Sequence, residues 1–131
     1  KGIAMSGETK TLASGKWLFH EDEEANKFYL VLNGKVDLKI AVRSSTADYA
    51  DLDTLITGDF VGWSAMLESR TYTLGAVAAT DTTLVCLDAT RLHDLLQDHP
   101  EAGYRLMHRL AQGISDRLIN LRIRFVSLTE A

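Results

Sequence analysis

Between Gly58 and Asp81 the chain reads GDFVGWSAMLESRTYTLGAVAATD, and these residue types could build an anion cradle. Gly62, Trp63, Ser64 and Ala65 make a short small-residue turn after a glycine-bounded β-type segment. Backbone N–H groups exposed at the start of a helical turn, with a cation nearby, hold phosphate oxygens. Ser64 would add a hydroxyl, Arg70 the cation, and Tyr72 and Thr73 further hydrogen bonds. Each residue also has a plainer reading. The turn could simply cap a short helix, Arg70 could be a solvated loop residue, and Tyr72 and Thr73 could pack within a strand. Trp63 could stack on a flat ligand or fill the cavity itself.

Other chemistries find little support. His20, His93, His99 and His108 do not stand at metal-ligand spacing with one another or with Cys86 or a carboxylate. A metal-dependent β-barrel enzyme would need two strand histidines close together. No Gly-x-Ser-x-Gly elbow or Ser-His-Asp grouping is suggested. Neither catalysis nor a metal is therefore expected. Cys86 is the single cysteine and sits in the alternating run Thr83–Leu87, so it reads as a packed thiol without an internal disulfide partner. There is no apolar run of membrane-spanning length and no signal-peptide pattern. A cytoplasmic location without a membrane partner is the expectation. The chain begins at Lys1 rather than Met, so a trimmed start or a piece of a longer protein is expected.

The elements that must position the cradle are mostly strands. Phe28 to Leu32 is β-rich, Asn33-Gly34 suits a type I′ turn, and Lys35 to Val42 alternates with period two. These predict a β-hairpin. Lys16 to His20, Leu52 to Ile56, Gly75 to Ala79 and Thr83 to Leu87 predict further short strands. An acidic turn stands at Glu21 to Glu24, a polar loop at Arg43 to Tyr49 and a turn at Thr80-Asp81. Regular spacing of short strands favours a barrel or jelly roll over a βαβ fold.

After Asp88 the rhythm becomes helical. Leu92, Leu95 and Leu96 mark a short helix stopped by Pro100, which can begin the next one. Met107, Leu110, Ile114, Leu118, Leu121, Phe125 and Leu128 then recur every three or four residues, close to a heptad seam. A helix this long outruns a small barrel. Its end, with Leu118, Leu121, Phe125 and Leu128, is expected to form a homodimer. Arg117, Arg122 and Arg124 lie off that seam, where they can stay hydrated or pair with acidic groups of a partner. The 131 residues, with 46% apolar content, are expected to form one domain, with a β-barrel at 16–88 and closing helices at 89–128. Residues 1–104 hold 9 basic and 16 acidic side chains, and residues 105–131 hold 5 and 2. An acidic body of this kind argues against direct DNA binding.

Taken in order, these segments resemble the cyclic-nucleotide-binding domain, the module of the catabolite activator protein and of protein kinase A regulatory subunits. Leu18 to Ala25 and Phe28 to Val36 look like its opening hairpins. Gly58-Asp59-Phe60-Val61-Gly62 is similar to the approach to its phosphate cassette, and Ala78-Ala79-Thr80-Asp81 to the strand exit. Leu92 to Pro100 and the long helix match its two closing helices. The resemblance implies a mainly β, double-stranded β-helix (jelly-roll) barrel closed by a short and a long helix, with cyclic AMP or cyclic GMP as ligand. In transcription regulators of the family a helix-turn-helix follows the long helix; this chain ends at Ala131.

Three positions depart from the family pattern. Where the family places a glutamate for the ribose 2′-hydroxyl, this chain has Trp63. Its phosphate-binding arginine falls on Tyr72, with Arg70 two residues earlier. The usual glycine of the acidic turn is Asp22. Losing the two charge-assisted contacts would cost roughly 4–6 kcal/mol, about a thousandfold to ten-thousandfold in affinity. The expected function is a non-enzymatic regulatory or sensor domain that binds a small phosphate-containing ligand weakly or not at all. The alternative is a ligand-independent interaction or dimerisation module acting through the C-terminal helix.

Overall fold

The computed structural model describes residues 7–41, 49–67 and 70–130, the side chains of 124 and 128–130 apart. Eight strands come first: β1 (Glu8–Leu12), β2 (Trp17–Phe19), β3 (Lys27–Asn33), β4 (Val36–Ala41), β5 (Tyr49–Leu55), β6 (Phe60–Val61), β7 (Gly75–Ala78) and β8 (Thr82–Asp88). A 3-10 turn, Trp63–Met66, separates β6 from β7. Helices α1 (Ala89–Asp98) and α2 (Pro100–Glu130) complete the order.

The strands form two four-stranded antiparallel sheets, in the orders β1-β8-β3-β6 and β2-β7-β4-β5. This corrects the expectation of a closed barrel: the mainly β fold with C-terminal helices stands, but as two sheets. The apolar phase of each strand explains why they face one another. Val36 and Leu38 of β4, Leu55 of β5, Phe28 and Val31 of β3, and Leu84 and Leu87 of β8 are all buried. In β7 all four residues are buried and three are small or glycine. A side chain at Gly75 would collide with the Trp17 ring, so glycine gives that indole its place.

The hairpin expected at Asn33-Gly34 is not there. β3 pairs with β8 and β6, while β4 pairs with β5 and β7, so the two strands belong to different sheets. The connection is a corner rather than a type I′ turn. Gly34 has φ 109°, but Asn33 ends β3 and is not among the residues of positive φ. The alternation of β4 was read correctly, but alternation does not reveal which strand is the partner. The corner is pinned by the other sheet crossing. Ala79 N–H donates to the Lys35 carbonyl at 2.9 Å, Lys35 N–H to Thr80 Oγ1 at 3.1 Å, and Thr82 Oγ1 to the Lys35 carbonyl at 3.2 Å. A Cβ on Gly34 would lie 2.7 Å from the Asp81 carbonyl oxygen, so sterics and backbone conformation both demand glycine.

The polar loop expected from Arg43 lies outside the described residues, apart from Tyr49, which begins β5. β1 was not anticipated; its five residues are exposed or half-buried and carry little apolar signal. Asp88 caps α1 by accepting from the Arg91 N–H at 3.1 Å. Leu92 of α1 is buried, and so are Leu106 and Leu110 of α2, with Ile114 packed beside them. The first half of α2 is thereby held on the core. Farther along, Leu118, Ile119, Ile123, Phe125 and Val126 are exposed; Leu118 is 63% and Phe125 66% accessible. The helix is about 46 Å long at 1.5 Å per residue, which is more than the sheets cover. No helix among the described residues is long and apolar enough to cross a membrane.

Candidate functional site

Strand β6 delivers the chain into Gly62, whose φ of 84° starts the 3-10 turn. That left-handed conformation favours glycine, and an added Cβ would sit 3.2 Å from both the Lys27 carbonyl oxygen and the Tyr72 ring. The Ala65 N–H is used within the turn, donating to the Gly62 carbonyl at 3.1 Å. Gly62, Ser64 and Ala65 are buried, Trp63 is half-buried and Thr73 is exposed.

Gly62, Trp63, Ser64, Tyr72 and Thr73 come together with Phe19, Leu38 and Leu74 around a cavity of about 20 Å³. That is room for about one water molecule. Tyr72 accounts for the small space. Its ring stacks on Phe19 with centroids 3.7 Å apart and planes 8° from parallel. Its hydroxyl donates to the Lys27 carbonyl at 2.7 Å, and the residue is only 4% exposed. Burial pushes the Tyr72 phenol above its ordinary pKa. Burial, and then the neighbouring Tyr72, push Tyr29 upward as well. Both phenols therefore stay neutral at physiological pH, as donors rather than charges.

Ala65 and Arg70 do not line this cavity. The Arg70 side chain is exposed, and its backbone is occupied, with the carbonyl accepting from the Ala25 N–H at 2.7 Å. Around it, Asp22 N–H donates to the Tyr72 carbonyl and Tyr72 N–H to the Glu23 carbonyl, so the 70–72 stretch runs beside the acidic turn. Asp22 has φ 71° and Arg70 φ 47°. The position where the resemblance implies glycine is thus one that needs the left-handed region. Aspartate enters that region more readily than most residues.

A larger cleft opens on the other side of Trp63. It has a volume of about 220 Å³ and runs between α2 and the Gly58–Phe60 turn. Arg117 lies at one end of it. Its Nε is 2.5 Å from Asp53 Oδ2, and its Nη1 is 3.8 Å from Asp59 Oδ2. The angles at the closer contact fall outside hydrogen-bond geometry, so the attraction is that of an ion pair. The Arg117 and Asp53 side chains are 16% and 12% exposed. This corrects the expectation that Arg117 is hydrated or reserved for a partner chain. The network was missed although a signal was present. In Asp53-Thr54-Leu55, Asp53 shares the inward period-two phase of Leu55, and a carboxylate on a buried face calls for a cation. Among the described residues no cluster of His, Cys, Asp and Glu could hold a metal.

Comparison with known proteins speaks to the family and the fold. The family model of the cyclic nucleotide-binding domain matches residues 9–99. The HTH-type transcriptional regulator Cmr of Mycobacterium tuberculosis is 28% identical over 119 residues, covering 91% of this chain and 48% of that protein. The c-di-GMP-responsive global regulator CLP of Xanthomonas campestris superposes with a TM-score of 0.87 at 20% identity, covering 96% of this chain and 61% of that one. The catabolite activator protein of Thermus thermophilus gives 0.75 at 24% identity, with 97% and 57% covered. At those identities the two structures speak for the fold alone, and the chain spans about half the length of the regulator Cmr. The family match extends over the sheets, the cassette turn and α1, so the chain belongs to the cyclic nucleotide-binding domain family.

Proposed function

We propose that this chain is a non-enzymatic regulatory domain whose cassette binds cyclic nucleotides weakly or not at all and whose long helix carries the output. The observation behind this reading is the cavity of about 20 Å³ at Gly62, Trp63, Ser64, Tyr72 and Thr73. Pockets that take ligands of nucleotide size are several hundred cubic ångströms, so entry would require Tyr72 to leave Phe19 and its bond to Lys27. Trp63 and Tyr72 bring no charge to meet a ribose or phosphate. The regulatory role is supported by kinship with Cmr, a transcriptional regulator. The sequence supports a cytoplasmic setting and does not support DNA contact by this chain itself.

The test is calorimetry and thermal shift with cyclic AMP and cyclic GMP. Dissociation constants in the millimolar range or weaker, with no rise in Tm, are expected. A constant of about ten micromolar or tighter would overturn the reading. Replacing Trp63 by Glu together with Tyr72 by Arg should strengthen binding, since the pair would supply a carboxylate and a guanidinium at the departed positions.

A second reading concerns assembly. The exposed apolar band from Leu118 to Val126 supports a homodimer formed through α2. In that case the domain would act as an interaction module whether or not a ligand is bound.

A further inference from the structure

The outer face of the β2-β7-β4-β5 sheet carries a group of aromatic rings that the core does not explain. Trp17 of β2 pairs with Val77 of β7, and neither packs into the hydrophobic core between the sheets, so the indole lies on the solvent side. It is seated over Gly75. Glycine weakens a strand interior because it has no side chain to pack, and an indole laid over it makes good that one contact. Two further rings gather on the indole without any such need. The His20 ring stacks on Trp17 with centroids 4.3 Å apart and planes 15° from parallel, and Tyr49 meets it at 4.9 Å and 58°. The His20 side chain is 48% exposed and Tyr49 43%.

The acidic turn Glu21-Asp22-Glu23-Glu24 continues directly from these rings. Among the described residues only His20 comes within ion-pair distance of its carboxylates, with Nδ1 3.6 Å from Glu23 Oε2. Lys39, on the same sheet, is already held by Asp51 at 2.6 Å. The turn displays its charges from a fixed frame. His20 N–H donates to Glu23 Oε1 at 2.9 Å, and Asp22 N–H to the Tyr72 carbonyl at 2.8 Å. Glu21 Oε1 accepts from the Ala41 N–H at 2.9 Å, and Ala41 pairs with Tyr49, so the turn and the rings form one surface.

We propose that this face docks an arginine-bearing segment of a partner protein. Charge complementarity selects the occupant: residues 1–104 hold 16 acidic and 9 basic side chains, which disfavours an acidic partner, and the turn's carboxylates lack cations. The rings select arginine among cations. A guanidinium plane stacks on an aromatic face while its N–H fork pairs with a carboxylate, whereas an ammonium is a point charge without that flat face. One guanidinium lies on the exposed surface of His20 and pairs with Glu23, and a second meets Asp22 or Glu24. An exposed ion pair alone contributes little, so recognition requires the stack and the pair together. Trp17, His20 and Tyr49 line neither the cassette cavity nor the cleft beside α2, so the proposal does not depend on what the cassette binds.

The probe is the peptide acetyl-Gly-Arg-Gly-Arg-Gly-amide, followed by indole and amide NMR shifts of the whole chain at low salt. Saturable shifts centred on the Trp17 indole are expected, with the Trp63 indole unmoved and a dissociation constant on the order of 1 mM. His20→Ala and Glu23→Gln each change an exposed side chain, so both variants should stay folded and bind at least about threefold more weakly. The same peptide with lysine in place of arginine should also bind at least about threefold more weakly. Four outcomes overturn the proposal: no saturation up to about 10 mM, shifts centred on Trp63, equal affinity for the lysine peptide, or undiminished binding in the folded variants. Movement of the Trp17 indole on concentrating the protein alone, abolished by Glu23→Gln, would assign the face to a second copy and overturn it as well. Failure here leaves the cyclic-nucleotide measurements untouched, because those report on the cassette.

Discussion

Arg117 of α2 reaches Asp53 of β5 across 2.5 Å, with Asp59 on its other side, and this contact joins the long helix to the edge of a sheet. Leu106 and Leu110 hold the earlier part of the helix by burial. The ion pair is the last described polar tie before the exposed apolar band begins. Removing one partner strands the other charge in a poorly hydrated place, which costs several kcal/mol when burial is complete.

With some solvent still reaching the pair, Arg117→Met is expected to destabilise by about 2–3 kcal/mol, or about 7–11 °C in Tm for a chain of this length. Adding Asp53→Leu should restore most of that loss, because the stranded carboxylate is then gone. Urea denaturation of the two single variants and the double variant measures the coupling. A loss below about 0.5 kcal/mol in the single variants, the level of an exposed pair, would show that solvent screens the contact.

Asp88 gives the fold a pH dependence of known sign. Its carboxylate accepts from the Arg91 N–H at the start of α1 and lies 3.4 Å from Lys27 Nζ. The Arg91 backbone N–H, and then Lys27, hold it below its ordinary pKa of 3.8. A depressed carboxylate contributes stability that is fully present above its unfolded pKa and is lost as pH falls through the folded one. Asp88→Ala should therefore cost about 1 kcal/mol at neutral pH through the lost cap. Below pH 3.8 the difference from wild type should shrink. Denaturation curves at pH 7 and at about pH 3 decide this. A deficit that stays constant across the range would mean that the ionised form is not what caps the helix.

Much of the fold was legible because the strands alternate and the helices repeat. Val36 and Leu38 face inward as their spacing requires, and Pro100 opens α2. Partner choice was not legible. Asn33-Gly34 has the local chemistry of a hairpin, but the corner is set by Lys35 bonding to Ala79, Thr80 and Thr82, far along the chain. The cassette turn was legible through Gly62. The tightness of its cavity was not, because it depends on Tyr72 stacking on Phe19, and such a non-local ring pair leaves no trace in residue spacing. The 220 Å³ cleft was equally hidden, since it arises only where α2 crosses the turn before β6.

The end of α2 carries the last prediction. Leu118, Leu121, Phe125 and Leu128 follow 3-4-3 spacing, a seam suited to a partner helix. Leu118 and Phe125 are exposed and Leu121 half-buried, while the side chain of Leu128 lies outside the described residues. Ile119, Ile123 and Val126 are also exposed and widen the band beyond the seam. An apolar strip of this kind is unfavourable in water unless something covers it. A second copy can do so by antiparallel or parallel pairing of the two helices. Sedimentation at several concentrations is expected to show a dimer for the wild type and a monomer for Leu121→Asp with Phe125→Asp. Both changes lie beyond the part of the helix that packs on the core, so the variant should melt cooperatively as a folded monomer. A wild type that remains monomeric up to about a hundred micromolar, enough to populate even a weak dimer, would show that this band does not mediate self-association.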